Sequence, residues 1–312
     1  MERTHAMENI SLSWTSEYTL YRGKKTRDYK QITLGQAFSK FVSEREISCS
    51  PSTIARYEEY QEIYFRDILD IRLCDIDNEL LQDKVNQLST CYAPKTVKNA
   101  YNHLHSVLEE FLTDHFWKVH LPPEEPSEFY IPITAEVEEL IAEADNKILV
   151  PILLAAYGGL RRSEVCGLKK SDFTEKGVHI RRAVVYDRHK KPCVKLPKTK
   201  AGYRFVPLPG SVIYMATHWN GFGILPNSLT RSFERTVKRL DGVPYFSYHK
   251  LRHYYASKLH AEGVPDQYIC KVGGWKSPQT VQKIYQHTLR DVEKEMNTKI
   301  ASIFSTNSTK SC

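Results

Sequence analysis

The amino-acid sequence predicts a mainly helical α+β protein with a small antiparallel β-sheet, and three observations support this fold class. Apolar residues recur at helical spacing through most of the 312 residues. Runs with strand character are confined to 178–207. A proline-rich stretch separates two helical regions, and a chain of this length can bury a hydrophobic core in each of two domains.

Four helices are predicted ahead of the proline-rich stretch. Thr33 precedes a run of apolar residues at helical spacing, and Gln36 lies three residues after Thr33. This is the capping-box pattern of a helix start. A second helix is predicted from Pro51, a third over 77–88, and a fourth from Pro94 with a long apolar stripe. Together these helices indicate a small helical domain.

The second half of the chain mixes helices and strands. Helices are predicted over 134–145 and 147–157. Three short strands follow, over 178–185, 193–196 and 203–206, and the pattern then returns to helices.

These patterns divide the chain into five segments. They are an N-terminal extension at 1–30, the helical domain at 31–117, an extended linker at 118–133, a second domain at 134–303 and a polar C-terminal tail at 304–312.

Composition and charge narrow the class of protein. The formal net charge of +7 suits an anionic partner such as DNA, although many proteins that bind no nucleic acid reach it too. The seven cysteines form no Cys-x-x-Cys pair, which is typical of reduced thiols in a cytosolic protein. Residues 1–14 lack the apolar segment of a signal peptide, and the longest apolar run, 148–157, is too short to cross a bilayer. We therefore expect a cytoplasmic protein.

Four stretches that lie far apart in the chain contain side chains suited to cutting a phosphodiester with a protein nucleophile. They are 158–164, 197–200, 249–253, and 273–275 together with 285–287. Such a reaction needs an attacking oxygen, cations that hold the charge on the phosphoryl oxygens, and an acid for the leaving alcohol. The candidate residues, in chain order, are Arg161, Lys198, His249, Arg252, Trp275 and Tyr285.

Several candidates have a simpler interpretation when each is considered alone. Arg161 starts a predicted helix, where a guanidinium suits a phosphate, but exposed arginines are common. Lys198 lies in a predicted hairpin loop and can donate a proton to a leaving oxygen, or it is only a solvated loop residue. Tyr285 is one of 19 tyrosines, and most tyrosines on amphipathic helices are packing residues. The prediction depends on their occurrence together, in one order and in one domain.

His249 and Arg252 are three residues apart on a predicted helix, so both can address a single phosphate from one face. His253 forms a His-x-x-x-His pair with His249, which raises a zinc site as an alternative. Lys250 stands where a metalloprotease helix carries glutamate, so a core or capping role for His253 is favoured. Trp275 can pack a loop against the phosphate site and offer its indole N–H as a donor.

At these residues the chain resembles the tyrosine recombinase (phage integrase) family, over about 33–290 and most closely over 158–287. The resemblance implies that Tyr285 attacks the scissile phosphate and forms a 3′-phosphotyrosyl link while a 5′-hydroxyl leaves. It also implies that Arg161 and Arg252 hold the non-bridging oxygens.

The resemblance assigns the remaining candidates as well. Lys198 would be the acid for the 5′-oxygen, and His249 would assist proton transfer. Most members carry histidine where this chain has Trp275, which implies a hydrogen bond and packing at that position in place of obligatory proton transfer. Because the phosphodiester energy is kept in the covalent link, no cofactor is expected, neither ATP nor a metal ion.

The resemblance also implies partners and a function. The helices of 31–117 would form a core-binding domain on double-stranded DNA at core attachment sites, while residues 1–30 are short for a complete arm-binding module. The working form would be a homotetramer on DNA, with an accessory excisionase or a host DNA-bending protein as further partners. The apolar stripe of 287–303 would dock on a neighbouring protomer or fold back on its own domain.

We accordingly expect a site-specific recombinase that integrates and excises a phage or another mobile element, in the cytoplasm of a bacterial cell or phage host. Three alternatives remain: a chromosome-resolution recombinase, a nicking-closing enzyme like a type IB topoisomerase, and a DNA-binding protein that no longer cuts.

Overall fold

The structure is a computed structural model that describes residue 29 and residues 31–124, 130–197, 202–286 and 302. The predicted fold class is confirmed, because helices predominate and the described strands form small antiparallel sheets. The chain divides into two units: Met1–Glu46 with Tyr57–Glu124, and Ile47–Arg56 with Glu125–Cys312. Each unit is described separately below.

The helices predicted before the linker are all present. They are α1 (Leu34–Arg45), α2 (Pro51–Tyr64), α3 (Asn78–Cys91) and α4 (Pro94–Phe111), with short 3₁₀ turns at Arg66–Ile68 and Leu73–Asp75. The predicted capping box starts α1, since the Gln36 amide donates to the Thr33 hydroxyl at 3.3 Å and the Gln36 side chain accepts from the Thr33 amide at 3.0 Å. The local capping pattern therefore fixed this helix start correctly.

The apolar stripe predicted for α4 forms the core of the first unit. Leu104 and Leu108 are buried against Leu34 and Phe38 of α1 in one hydrophobic cluster. His103 is also buried there, and its ring stacks on Tyr57 at 4.4 Å between centroids. This burial, reinforced by the positive charge of Arg45, lowers the pKa of His103 to about 4.

From residue 134 onward, the described part of the second unit contains eight α-helices, five strands and a short 3₁₀ turn at Lys170–Asp172. The helices are α5 (Thr134–Glu143), α6 (Leu149–Gly158), α7 (Arg162–Gly167), α8 (Gly210–Thr217), α9 (Pro226–Val237), α10 (His249–Ala261), α11 (Asp266–Gly273) and α12 (Pro278–Gln286). The strands are β1 (Phe173–Thr174), β2 (Gly177–Ile180), β3 (Ala183–Tyr186), β4 (Pro192–Lys195) and β5 (Arg204–Pro207). Helix α6 is buried along most of its length and packs against α10.

One predicted strand, 178–185, is wrong as a single element. Strands β2 and β3 replace it and belong to different sheets, because the chain breaks at Arg181 and Arg182. Both arginines turn toward the fully buried carboxylate of Asp172, with Arg182 Nη1 at 2.6 Å from Oδ2. A buried carboxylate needs such partners, and supplying them takes these residues out of the strand pattern.

The strand pairings also differ from those predicted on either side of Lys198. Strand β4 pairs with β3, whereas β5 pairs with β2 in the antiparallel sheet ordered β1-β2-β5. The segment between β4 and β5 therefore joins strands of two different sheets, so the prediction that these two strands form a hairpin around Lys198 is wrong. Strands β3 and β4 pair with each other instead. Lys198 itself lies outside the described residues.

Some predictions concern residues outside the described ranges. The N-terminal extension up to residue 28, the C-terminal tail and nearly all of the stripe at 287–303 lie outside the described residues. In the part of the chain that is described, no helix combines the length and apolar character needed to cross a membrane.

Candidate active site

Arg161 is fixed at the junction between α6 and α7. Helix α6 ends at Gly158, and its C-cap Gly159 adopts a left-handed conformation with φ of 64°; a Cβ on Gly159 would lie 2.4 Å from the Tyr255 ring. Arg161 is then the N-cap of α7. Its backbone amide donates to Glu164 Oε2 at 2.8 Å, and its Nη1 donates to Glu164 Oε1 at 2.7 Å. Its Nη2 donates to the carbonyl of Gly274 at 2.6 Å, so the guanidinium is held from both sides.

Arg252 lies one helical turn after His249 on α10 and is 1% exposed. Its Nη1 donates to the Gly159 carbonyl, whereas its buried Nη2 has no hydrogen-bond partner among the described residues. Burial, followed by repulsion from Arg161, lowers the pKa of Arg252 to about 8. A buried cation with an unused donor beside a second cation is a site that an anion would stabilise.

Trp275 covers the Arg252 guanidinium. The Arg252 Cζ atom lies 3.7 Å from the centroid of the indole, which is cation–π geometry. Two glycines make room for this ring: a Cβ on Gly273 would overlap it, and Gly274 has a φ of 70°. The Gly-Gly-Trp sequence therefore serves to seat the tryptophan against the arginine.

His249 begins α10, and its ring meets the His253 ring edge-to-face at 4.7 Å. Partial desolvation and then the charges of Arg252 and Arg161 lower the pKa of His249 to about 4. The imidazole is therefore neutral at pH 7 in this structure and can accept a proton. In the part of the chain that is described, no group of three or more His, Cys, Asp or Glu side chains is placed to hold a metal ion.

These side chains surround one open cleft. Four of the six predicted site residues, Arg161, His249, Arg252 and Trp275, line a cavity of about 790 Å³. The exposed side chain of Lys283 on α12 lines it too, which adds a cation that the sequence analysis did not single out. The cleft therefore presents convergent positive charge with a neutral imidazole at its edge.

Tyr285 lies on α12, but its hydroxyl is engaged outside this lining. The hydroxyl donates to Asp266 Oδ2 at 3.4 Å, and the ring stacks on His260 at 3.5 Å between centroids. Partial desolvation and the neighbouring Asp266 carboxylate raise the pKa of Tyr285. The Tyr285 hydroxyl is therefore bound to Asp266, and Tyr285 is not among the residues that line the cleft.

One structural partner of the site was not predicted from the sequence. Arg204 on β5 is 8% exposed and binds both carboxylate oxygens of Glu164, the residue that also binds Arg161. Alternation along the strand could have indicated that Arg204 is buried, because Arg204 lies on the same inward face of β5 as the buried Val206.

A family model matches about half of this chain, and the sequence of a known protein matches most of it. The model of the phage integrase family matches residues 133–291. A "tyrosine recombinase XerC-like" protein of Caldanaerobacter subterraneus subsp. tengcongensis is 26% identical, in a match that covers 84% of this chain and 81% of that protein.

Solved structures share the fold at lower identity. The Tn1549 transposon integrase in complex with transposon right end DNA superposes with a TM-score of 0.70 at 15% identity, covering 84% of this chain and 99% of that one. A lambda integrase tetramer bound to a Holliday junction gives a TM-score of 0.61 at 16% identity, covering 91% and 89%. The predicted resemblance is confirmed: the chain belongs to the phage integrase family of tyrosine recombinases, enzymes that cleave and rejoin DNA.

Proposed function

We propose that this protein is a site-specific recombinase that cuts and rejoins double-stranded DNA through a 3′-phosphotyrosyl link at Tyr285, and so integrates and excises a mobile element. One observation carries the proposal. The buried Arg252, whose Nη2 has no hydrogen-bond partner among the described residues, shares a cleft with Arg161 and His249 next to the helix of Tyr285.

The first step is capture of the scissile phosphate. The free donor of Arg252 and the accessible edge of Arg161 bind its two non-bridging oxygens, and Trp275 keeps the Arg252 plane in position. Both cations are fixed before DNA arrives, so little reorganisation is needed as negative charge grows on the phosphoryl oxygens.

The second step is attack. The Tyr285 oxygen forms a bond to phosphorus while the bond from phosphorus to the 5′-oxygen breaks. The phenolic proton passes to a base, a role we assign to His249, because a bound phosphate offsets the charges of Arg252 and Arg161 that lower its pKa. The 5′-oxygen receives a proton from an acid, which we assign to Lys198. Reversal of these steps with a new 5′-hydroxyl rejoins the strand, so no external energy source enters.

The mobile-element role is favoured by the kind of protein that shares the fold. A transposon integrase and lambda integrase both superpose on this chain. Because a XerC-like tyrosine recombinase matches this chain in sequence, chromosome resolution is the second candidate function. An excisionase or a DNA-bending protein would assist the mobile-element reaction.

Covalent trapping tests the chemistry. The DNA sequence of a core site is first obtained by letting the protein select it from random duplexes. That duplex is then made with a nick near the cleavage position, so that the fragment released by cleavage diffuses away and the strand is not rejoined. We expect a protein–DNA adduct at a 3′-phosphate with a free 5′-hydroxyl on the other fragment. Relaxation of supercoiled plasmids irrespective of sequence, with no exchange between two sites, would favour the topoisomerase-like alternative.

The proposed assembly is a homotetramer on two duplexes, with the segment after Tyr285 linking protomers. Truncation after Leu289 should leave binding to one core site intact and reduce complexes that hold two sites, as native gels would reveal. Wild-type amounts of two-site complex from the truncated protein would mean that the tail folds back on its own domain.

A further inference from the structure

The side chain of Arg204 connects the separate parts of the cleft wall. It is 4% exposed, and its Nη1 and Nη2 donate to the two oxygens of Glu164 at 2.9 and 2.8 Å. Its Nε donates to the carbonyl of Val272 at 2.8 Å, at the end of α11. Strand β5 is thereby tied both to the start of α7 and to the loop that carries Trp275.

The Glu164 carboxylate is shared between two arginines. The oxygens that accept from Arg204 also accept from the amide and from Nη1 of Arg161. Burial opposes ionisation of this carboxyl, but the hydrogen bonds and charge of Arg204, followed by the charge of Arg161, hold the pKa of Glu164 at about 2. One negative charge therefore faces two positive ones.

This charge ratio matters for phosphate binding. If Glu164 faced Arg161 alone, the pair would be neutral and would attract a phosphate weakly. With Arg204 present, the three groups carry a net positive charge, and only Arg161 is open to the cleft, with 38% of its side chain exposed. Arg204 thus leaves the charge of Arg161 available to DNA.

Arg204 also supports the second anchor of Arg161. The carbonyl of Gly274 accepts from Arg161 Nη2, and a Cβ placed on Gly274 would lie 3.2 Å from the Arg204 side chain. Arg204 therefore packs directly under the residue that holds the far end of the Arg161 guanidinium. Its loss would release Arg161 at both ends.

We propose that Arg204 is a positioning residue for DNA cleavage, which holds Arg161 in place through Glu164 and Gly274 and keeps its charge free for the scissile phosphate. This inference rests on the proposed function of the cleft. It differs from a role in stability alone, because it requires that Arg204 act through Arg161.

A double-mutant cycle tests this requirement. Single-turnover cleavage of the nicked core site is measured for wild type, Arg204→Met, Arg161→Ala and the double mutant. Loss of a fixed transition-state donor costs roughly 10²–10³-fold, so displacement of Arg161 in Arg204→Met should cost at least ~10-fold. When Arg161 is already alanine, adding Arg204→Met should reduce the cleavage rate less than ~3-fold, because the guanidinium that Arg204 positions is already missing.

Arg182→Met is the matched control, since Arg182 also binds a buried carboxylate, Asp172, and a backbone carbonyl, that of Gly167, in the same unit. Arg182→Met should lower the melting temperature, but its effect on the cleavage rate should be the same whether or not Arg161 is alanine.

Arg204→Lys keeps the positive charge, so it should cleave faster than Arg204→Met. If Arg204→Met does not fold, Arg204→Lys takes its place in the cycle.

If Arg204→Met reduced the cleavage rate by the same factor with and without Arg161, the positioning role would be overturned. That outcome is separable from failure of the proposed function, in which wild-type protein itself would form no covalent adduct with the same DNA.

Discussion

Replacement of Trp275 tests how the cleft holds Arg252. The indole lies 3.7 Å from the guanidinium carbon, and Arg252 is nearly inaccessible to water. A desolvated cation–π contact contributes about 2 kcal/mol. If that energy keeps Arg252 in its binding orientation, its loss corresponds to about 30-fold in rate. Trp275→Ala should therefore slow single-turnover cleavage at least ~30-fold, whereas Trp275→His keeps a ring and an N–H donor and should retain measurable recombination.

A stability effect must be separated from this one. Truncation of a buried tryptophan costs about 3–5 kcal/mol of folding free energy wherever it occurs. Trp219 is the matched control, because it is 8% exposed against 9% for Trp275 and lies in the same unit. Trp219→Ala should lose stability and keep its cleavage rate per folded molecule. Trp275→Ala cleaving within ~3-fold of wild type, at equal folded fraction, would refute the cation–π role.

Three further predictions address other groups. Arg161→Ala and Arg252→Ala should each reduce cleavage ~10²-fold or more while core-site binding in gel shifts falls less, and a near-wild-type rate would remove that arginine from the mechanism. Asp266→Ala should release the Tyr285 hydroxyl and raise the cleavage rate by up to ~10-fold; a slower mutant would contradict the proposed restraint. As pH falls from 6.5 to 4, the unfolded chain protonates at His103 before the folded one, so His103 should contribute roughly 3 kcal/mol to the drop in the free energy of unfolding. His103→Phe should remove that contribution in chemical denaturation, and an unchanged dependence of the unfolding free energy on pH would exclude His103 as a source.

Local signals in the sequence predicted much of the fold and of the site. The capping box at Thr33 and the helix start at Arg161 each depend on neighbours within a few residues, so both helix starts could be predicted correctly. The spacing of His249 and Arg252 likewise fixed their shared helix face.

The missed features depend on contacts between distant residues. Arg204 binds Glu164 across 40 residues, and no periodicity in either segment encodes that pairing. Asp172 breaks the predicted strand only because the fold buries it, which a strand pattern cannot reveal. The restraint on Tyr285 similarly requires Asp266 of another helix.

Mapping of the covalent adduct tests the central claim most directly. Wild-type protein, Tyr285→Phe and the control Tyr268→Phe, which alters an exposed tyrosine of the same unit, are each incubated with the nicked core site. All three should bind the DNA, and wild type and Tyr268→Phe should form a 3′-linked adduct whose DNA-bearing peptide contains residue 285. Tyr285→Phe should form none, because only the attacking oxygen has been removed. An adduct that persists in Tyr285→Phe, or one that maps to another residue in wild type, would contradict the account.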